Sequence, residues 1–225
     1  MCGRYALFAS NQEMKAQYGA INDFEWAPRY NIAPTDRVPL LRLDSGFRRR
    51  FDLAHWGFEI EPRGQKKLLL NARVETVTEK PTFKGLSRTS RCVLPANGFY
   101  EWKKENGQKE PWFFHLEDPQ VPTLALAGLL RERVVDGDLH LETTILTTAP
   151  NELMAPIHDR MPVIVPRHLL QDWLNPHLAF PKSWALPAFP GTGMGCKPVS
   201  TQLNQAGSEG PTLLVADGPR QPTLF

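Results

Sequence analysis

The side chains with the most chemistry in this 225-residue chain stand at its start, Cys2-Gly3-Arg4-Tyr5. Three later runs join them: Asn71-Ala72-Arg73-Val74-Glu75-Thr76, Gly98-Phe99-Tyr100-Glu101-Trp102 and Ile157-His158-Asp159-Arg160-Met161-Pro162. Initiator methionine is normally removed when the second residue is as small as cysteine. The mature chain is therefore expected to begin at Cys2, with a free α-amine and a thiol on one residue. Such a 1,2-aminothiol reacts with aldehydes: the amine condenses to an imine, and the thiol closes onto the imine carbon to give a five-membered thiazolidine. With an α-amine near pKa ~8 and a thiol near ~8.5, about one-tenth of the amine is neutral and a few per cent of the thiol ionised at pH 7. Taken alone, Cys2 is more simply the residue that happens to follow the start codon, and the rest of the chain decides otherwise.

The other runs supply acid–base and hydrogen-bonding groups. Glu101 lies among aromatics, where desolvation would raise its pKa as a proton shuttle near neutral pH requires; the plain alternative is a surface glutamate on an alternating strand. His158 is a second acid/base candidate, although a lone histidine is more commonly a satisfied core residue. Asn71 offers an uncharged donor and acceptor suited to holding the chain start or a sugar hydroxyl. It also suits a helix N-cap for the residues that follow, and both roles are compatible.

These residues need a scaffold, and composition bounds it. A chain of this length with 41% hydrophobic and 22% charged residues builds one packed domain, at most with a tail. No apolar run approaches the ~18–20 residues that span a bilayer, and no signal peptide is evident, so a cytoplasmic protein without membrane attachment is expected. The three cysteines, Cys2, Cys92 and Cys196, have no paired spacing, which argues against a disulfide framework. There is no C-x-x-C or H-E-x-x-H, so neither a metal nor another cofactor is expected. The formal charge of +2 is unevenly spread: residues 62–104 carry 10 basic and 3 acidic side chains, a local +7, whereas residues 105–225 carry 8 and 13, a local −5. A basic segment can be a solvated face or the footprint of a polyanion.

Local signals place the motifs. Ser10 and Glu13 form a capping box for a helix over 10–18 ended by Gly19. Strands are expected over 38–43 and 51–58, joined through Asp44-Ser45-Gly46 with Arg48-Arg49-Arg50 in water. Leu68-Leu69-Leu70 reads as a short buried strand delivering Asn71, and the spacing predicts a helix over 72–80 stopped by Pro81. Strand-like halves flank Asn97-Gly98, and further strands are expected over 112–116, 123–133, 139–147 and 161–165, with a hairpin at Asp136-Gly137. A short helix or loop over 151–157 leads to His158, and a helix runs over 167–174. Many short strands with a few helices define an α+β class, a β-rich single domain with a mixed, barrel-like sheet. The domain is expected over 2–204, with 205–225 a tail of turns or disorder.

With Asn31-Ile32-Ala33-Pro34, His55-Trp56-Gly57, Thr147-Thr148-Ala149 and Pro198-Val199-Ser200, the four reactive runs resemble the SOS-response-associated peptidase family, also known as the abasic-site processing family. The resemblance spans about residues 2–204. It implies a DNA-damage protein that covalently traps abasic sites in single-stranded DNA through a thiazolidine at Cys2, with Asn71, Glu101 and His158 completing the catalytic set. It further implies phosphate contacts from Arg4, Arg73, Lys84 and Arg160, and stacking or space-filling by Trp56 and Trp102. Asn31, Pro34, Thr148 and Ser200 are further binding candidates. The partner is single-stranded DNA containing abasic sites, and a monomer, nucleoid-associated when bound, is expected; lyase and autopeptidase activities belong to the same implication. One departure concerns the Trp-Gly pair, which the family commonly follows with a Pro and a further Trp. Here Trp56-Gly57 runs into Phe58-Glu59-Ile60-Glu61-Pro62-Arg63, which bears on how DNA would be gripped there and not on the chemistry at Cys2. Two other readings fit parts of the pattern. A thiol peptidase or amidase would use Cys2 as nucleophile with His158 or Glu101 as base, acting on peptides or its own N-terminus, and a non-catalytic single-strand binding module would bind only reversibly.

Overall fold

Strand alternation and turn chemistry set fourteen strands among the described residues. The computed structural model describes residues 2–105, 107–185, 187–205 and 207–218. In chain order the elements are β1 (Arg4–Leu7), α1 (Asn11–Tyr18), β2 (Arg29–Ile32), β3 (Arg37–Leu43), β4 (Arg49–Trp56), β5 (Phe58–Ile60), β6 (Lys67–Leu69), β7 (Asn71–Arg73) and α2 (Pro81–Thr89). There follow β8 (Arg91–Ala96), β9 (Gly98–Glu105), β10 (Gln108–Leu116), β11 (Leu124–Val135), β12 (Asp138–Thr148), β13 (Met161–Pro162), α3 (Leu170–Leu174), α4 (Lys182–Ala185) and β14 (Met194–Pro198). The result is a β-rich α+β domain.

An antiparallel five-stranded sheet runs β14-β10-β9-β1-β2. The second sheet runs β11-β8-β3-β4-β12-β13, and β11 also pairs with β12, so its pairings return on themselves as a ring. The ring is mixed, because β4 and β7 both lie parallel to β12. One face of the first sheet (Tyr5, Leu7, Phe99, Phe114) packs with strands of the ring in the main core. Its other face (Ala6, Tyr100, Phe113) forms a second, smaller core with Val199, Leu203 and Leu213.

Local sequence signals appear where expected. Ser10 accepts from the Glu13 amide and Glu13 reaches back to the Ser10 amide, while Gly19 closes α1 at φ 64° in the left-handed region. The Asp44-Ser45-Gly46 and Asp136-Gly137 hairpins both form. At Asn97, between β8 and β9, the side-chain oxygen accepts from the amides of Phe8 and Ala9, and the nitrogen donates to the Pro122 carbonyl.

Three expectations are corrected. Residues 72–80 are not a helix: Ala72 lies in β7 opposite Leu146, turns follow, and Pro81 opens α2 instead of stopping a helix. At the first helical position the missing N–H of proline costs nothing, because that donor has no intrahelical partner. Leu68 is not buried; it lies 38% exposed on β6, which pairs only with β5. The strand over 161–165 is confined to Met161–Pro162, beyond which Val163 bonds both Leu146 and Ala127 and fills the gap where β11 and β12 diverge. Residues 207–218 are built of turns, and they pack: Leu213 is 1% exposed.

Candidate functional site

The start of the chain is drawn into the core. Cys2 precedes β1, is fully buried, and aims its S–H at the Arg4 carbonyl 3.9 Å away. Burial, and after it the charge of Glu101, push its thiol far above the ordinary range. The pairing of β1 with β9 sets Arg4 opposite Tyr100 and so brings the next residue, Glu101, beside the chain start. Glu101 is 3% exposed, and desolvation raises its pKa against the opposing attraction of His158.

His158 arrives from the segment that joins β12 to β13. Its Nε2 lies 3.9 Å from Glu101 Oε2, beyond direct hydrogen-bond reach. The Arg160 amide donates to Nδ1 at 3.0 Å. The Arg160 carbonyl also lies 3.2 Å from Nδ1, so this nitrogen accepts from the Arg160 amide in one tautomer and donates to the Arg160 carbonyl in the other. The Asp159 carboxylate lies 3.1 Å from Nδ1 and is 89% exposed, so solvent screens the contact.

Asn71 comes from β7, which β12 holds in parallel register at Ile145. Its Nδ2 donates to the Cys2 carbonyl at 2.9 Å. Its Oδ1 is buried with no hydrogen-bond partner among the described residues, leaving an acceptor for a donor such as an amine or a sugar hydroxyl. Cys2, Asn71, Glu101 and His158, widely spaced in sequence, are therefore brought together at the start of the chain.

The binding candidates divide. Arg73, two residues along β7 from Asn71 and on the same face, is exposed, as is Lys84 on α2. Arg4 Nη1 donates to Asn31 Oδ1 at 2.6 Å and to the Leu203 carbonyl at 3.2 Å. Asn31 is itself buried and donates to the Ser208 carbonyl. Pro34 is half-buried in the turn after β2. Trp102 is half-buried, its Nε1 donating to Asn204 Oδ1. Others are committed elsewhere. Trp56 is fully buried, edge-on to Tyr5 with Nε1 on the Leu70 carbonyl, so it offers no face for a base to stack on. Arg160 forms a bidentate pair with Glu75 at 2.7 and 2.9 Å and donates to the Thr147 carbonyl, which takes its charge away from a phosphate. Ser200 donates to Asp217 and caps a 3-10 turn, and Thr148 is buried opposite Met161.

Sequence patterns gave no sign of the partners that hold these groups. Glu75, whose carboxyl Arg160 keeps below the usual range, stands in a reactive run but in none of the roles above. The carbonyls of Leu203 and Ser208 meet Arg4 and Asn31 across separations of 199 and 177 residues.

Residues 1–206 match the model of the family described as SOS response associated peptidase (SRAP), and the chain belongs to that family. It is 35% identical over 230 residues to the abasic site processing protein YoaM of Bacillus subtilis strain 168, covering 96% of this chain and 99% of that one. It is 29% identical over 224 residues to the abasic site processing protein YedK of Escherichia coli K12, covering 95% and 99%. A crystal structure from Bacteroides thetaiotaomicron matches with a TM-score of 0.83 at 24% identity over 96% of this chain and all of that one, which establishes likeness of fold.

Proposed function

We propose that this protein processes abasic sites in single-stranded DNA by trapping the lesion covalently at Cys2. The observation that carries the reading is the convergence of Glu101, His158 and the buried, unpartnered Asn71 oxygen on the start of the chain. The names of the relatives point to the same substrate. Once Met1 is removed, the Cys2 amine adds to the ring-opened deoxyribose aldehyde, and loss of water gives an imine. The S–H then adds across the C=N bond: sulfur bonds to carbon and the proton ends on nitrogen, so one water is lost overall. Glu101, protonated more readily than an exposed glutamate, gives a proton to the departing oxygen and recovers one from the nitrogen as the neutral imine forms, which leaves the thiol proton for the ring nitrogen. His158 relays protons behind it, and Asn71 holds the Cys2 backbone. Strand cleavage at the trapped sugar, and removal of Met1 by the chain itself, would draw on the same groups.

A thiol peptidase needs an ionised sulfur, and here burial and Glu101 drive the thiol the other way. The two chemistries separate on intact mass after incubation with an abasic single-stranded oligonucleotide. The expected product weighs the sum of protein and oligonucleotide less one water and survives denaturation without reductant. A protein carrying an uncleaved N-terminal extension keeps its thiol but turns the amine into an amide, and it should form none. Wild-type adduct yield from the extended protein would refute the aminothiol reading.

A further inference from the structure

The C-terminal segment returns to the first sheet and holds the residues that would meet DNA. The Leu203 carbonyl accepts from Arg4 at 3.2 Å, the Ser208 carbonyl from Asn31 at 2.9 Å, and Asn204 Oδ1 from Trp102 at 2.6 Å. Three anchors keep the segment in place. Leu213 is buried in the second core. Asp217 accepts from the Ser200 hydroxyl at 2.8 Å and the Thr201 amide at 3.0 Å. Glu209 accepts from Arg29 Nε at 2.6 Å and the Tyr30 amide at 2.8 Å. Of the three, Glu209 lies next to Ser208 in sequence and binds the strand that carries Asn31.

The arginines around this segment differ in how their charge is met. Among the described residues Arg29 has two carboxylates, Asp36 and Glu209, and Arg160 has Glu75. The donors of Arg4 meet only neutral oxygens there, the Asn31 amide and the Leu203 carbonyl. Arg4 therefore keeps its full positive charge while its direction is fixed, two residues from Cys2, which is the state that serves phosphate recognition.

We propose that Glu209 is a positioning residue for DNA capture: by pinning the C-terminal segment to β2 it seats Ser208 against Asn31 and so aims the Arg4 guanidinium. The inference rests on the proposed function. A guanidinium left to rotate pays an ordering cost on binding that a held one does not.

The test measures crosslinking rate against concentration of abasic single-stranded oligonucleotide for wild type, Glu209→Gln, Arg4→Ala and the double variant. Glu209→Gln keeps the shape and removes the charge. Half-saturation should rise about tenfold, the scale of one charge-assisted hydrogen bond, with a much smaller change in the limiting rate. The double variant should fall well short of the product of the single effects, because both changes disable the same group. Four results would overturn the proposal: unchanged half-saturation, tighter binding (the mark of a segment that blocks DNA), a parallel loss in both parameters, or full additivity with Arg4→Ala. A wild type that forms no crosslink defeats the proposed function and this inference with it. A wild type that crosslinks beside an indistinguishable Glu209→Gln defeats this inference alone.

Discussion

A carboxyl as buried as Glu101 weakens the fold when it is ionised, because the loss of water around the charge outweighs the attractions that act on it. Its folded pKa is raised above the reference 4.5, so the folded state holds the proton more tightly than the unfolded chain. The associated stability is complete below about pH 4.5 and is lost as pH rises through the folded value. Glu101→Gln removes this dependence. The difference in melting temperature, variant minus wild type, should grow in the variant's favour from about pH 4.5 toward neutrality, as thermal unfolding across pH would read. The same substitution should slow crosslinking about 10²-fold, the scale of one positioned acid/base group. A residue kept for packing would show neither trend.

At the scale of elements, legibility followed range. The α1 capping box and the Asp44-Ser45-Gly46 and Asp136-Gly137 hairpins rest on interactions within a few residues, and each stands where the sequence reading put it. The reading failed over 72–80, where the register of β7 is set by Leu146 on a distant strand and local apolar spacing misleads. The reactive residues themselves were legible as polar groups in apolar runs, whereas what fixes them, such as Leu203 on Arg4, is a carbonyl, and every residue has one. Gly98 marks a tight place in the scaffold of the site. A β-carbon there would lie 2.3 Å from the Phe113 ring and 2.4 Å from the Phe114 carbonyl, at the start of the strand that delivers Glu101. Gly98→Ala should cost about 2 kcal/mol or more in denaturant unfolding, and crosslinking should fall with the distortion of β9.

The molecule's charge is less available than its sequence suggests. The +7 segment includes Arg91, which is 3% exposed and donates to the carbonyls of Trp173, Ser87, Arg88, Asn175 and Leu178, tying the end of α2 to the residues around the end of α3. Arg73, on the strand that carries Asn71, and Lys84, on α2, are exposed and keep the phosphate-contact role in the proposed reading. With three or four phosphates neutralised, log K for a single-stranded oligonucleotide should fall with log salt at a slope of about −2 to −3. Arg73→Ala should make that slope shallower by about 0.7, whatever the base sequence. A slope that Arg73→Ala leaves unchanged would place the DNA path elsewhere.

The contact of Arg4 with Leu203, 199 residues apart, also sets an order of events in time. At about 5–20 residues per second, a chain of 225 residues takes roughly 10–45 s to synthesise. For most of that interval the start of the chain has left the ribosome while the stretch that will hold Arg4 is still unmade. On the proposed reading the aminothiol is thus among the first parts of the protein to meet the cell, and a nascent chain exposes it to free aldehydes before Leu203 is there to hold Arg4.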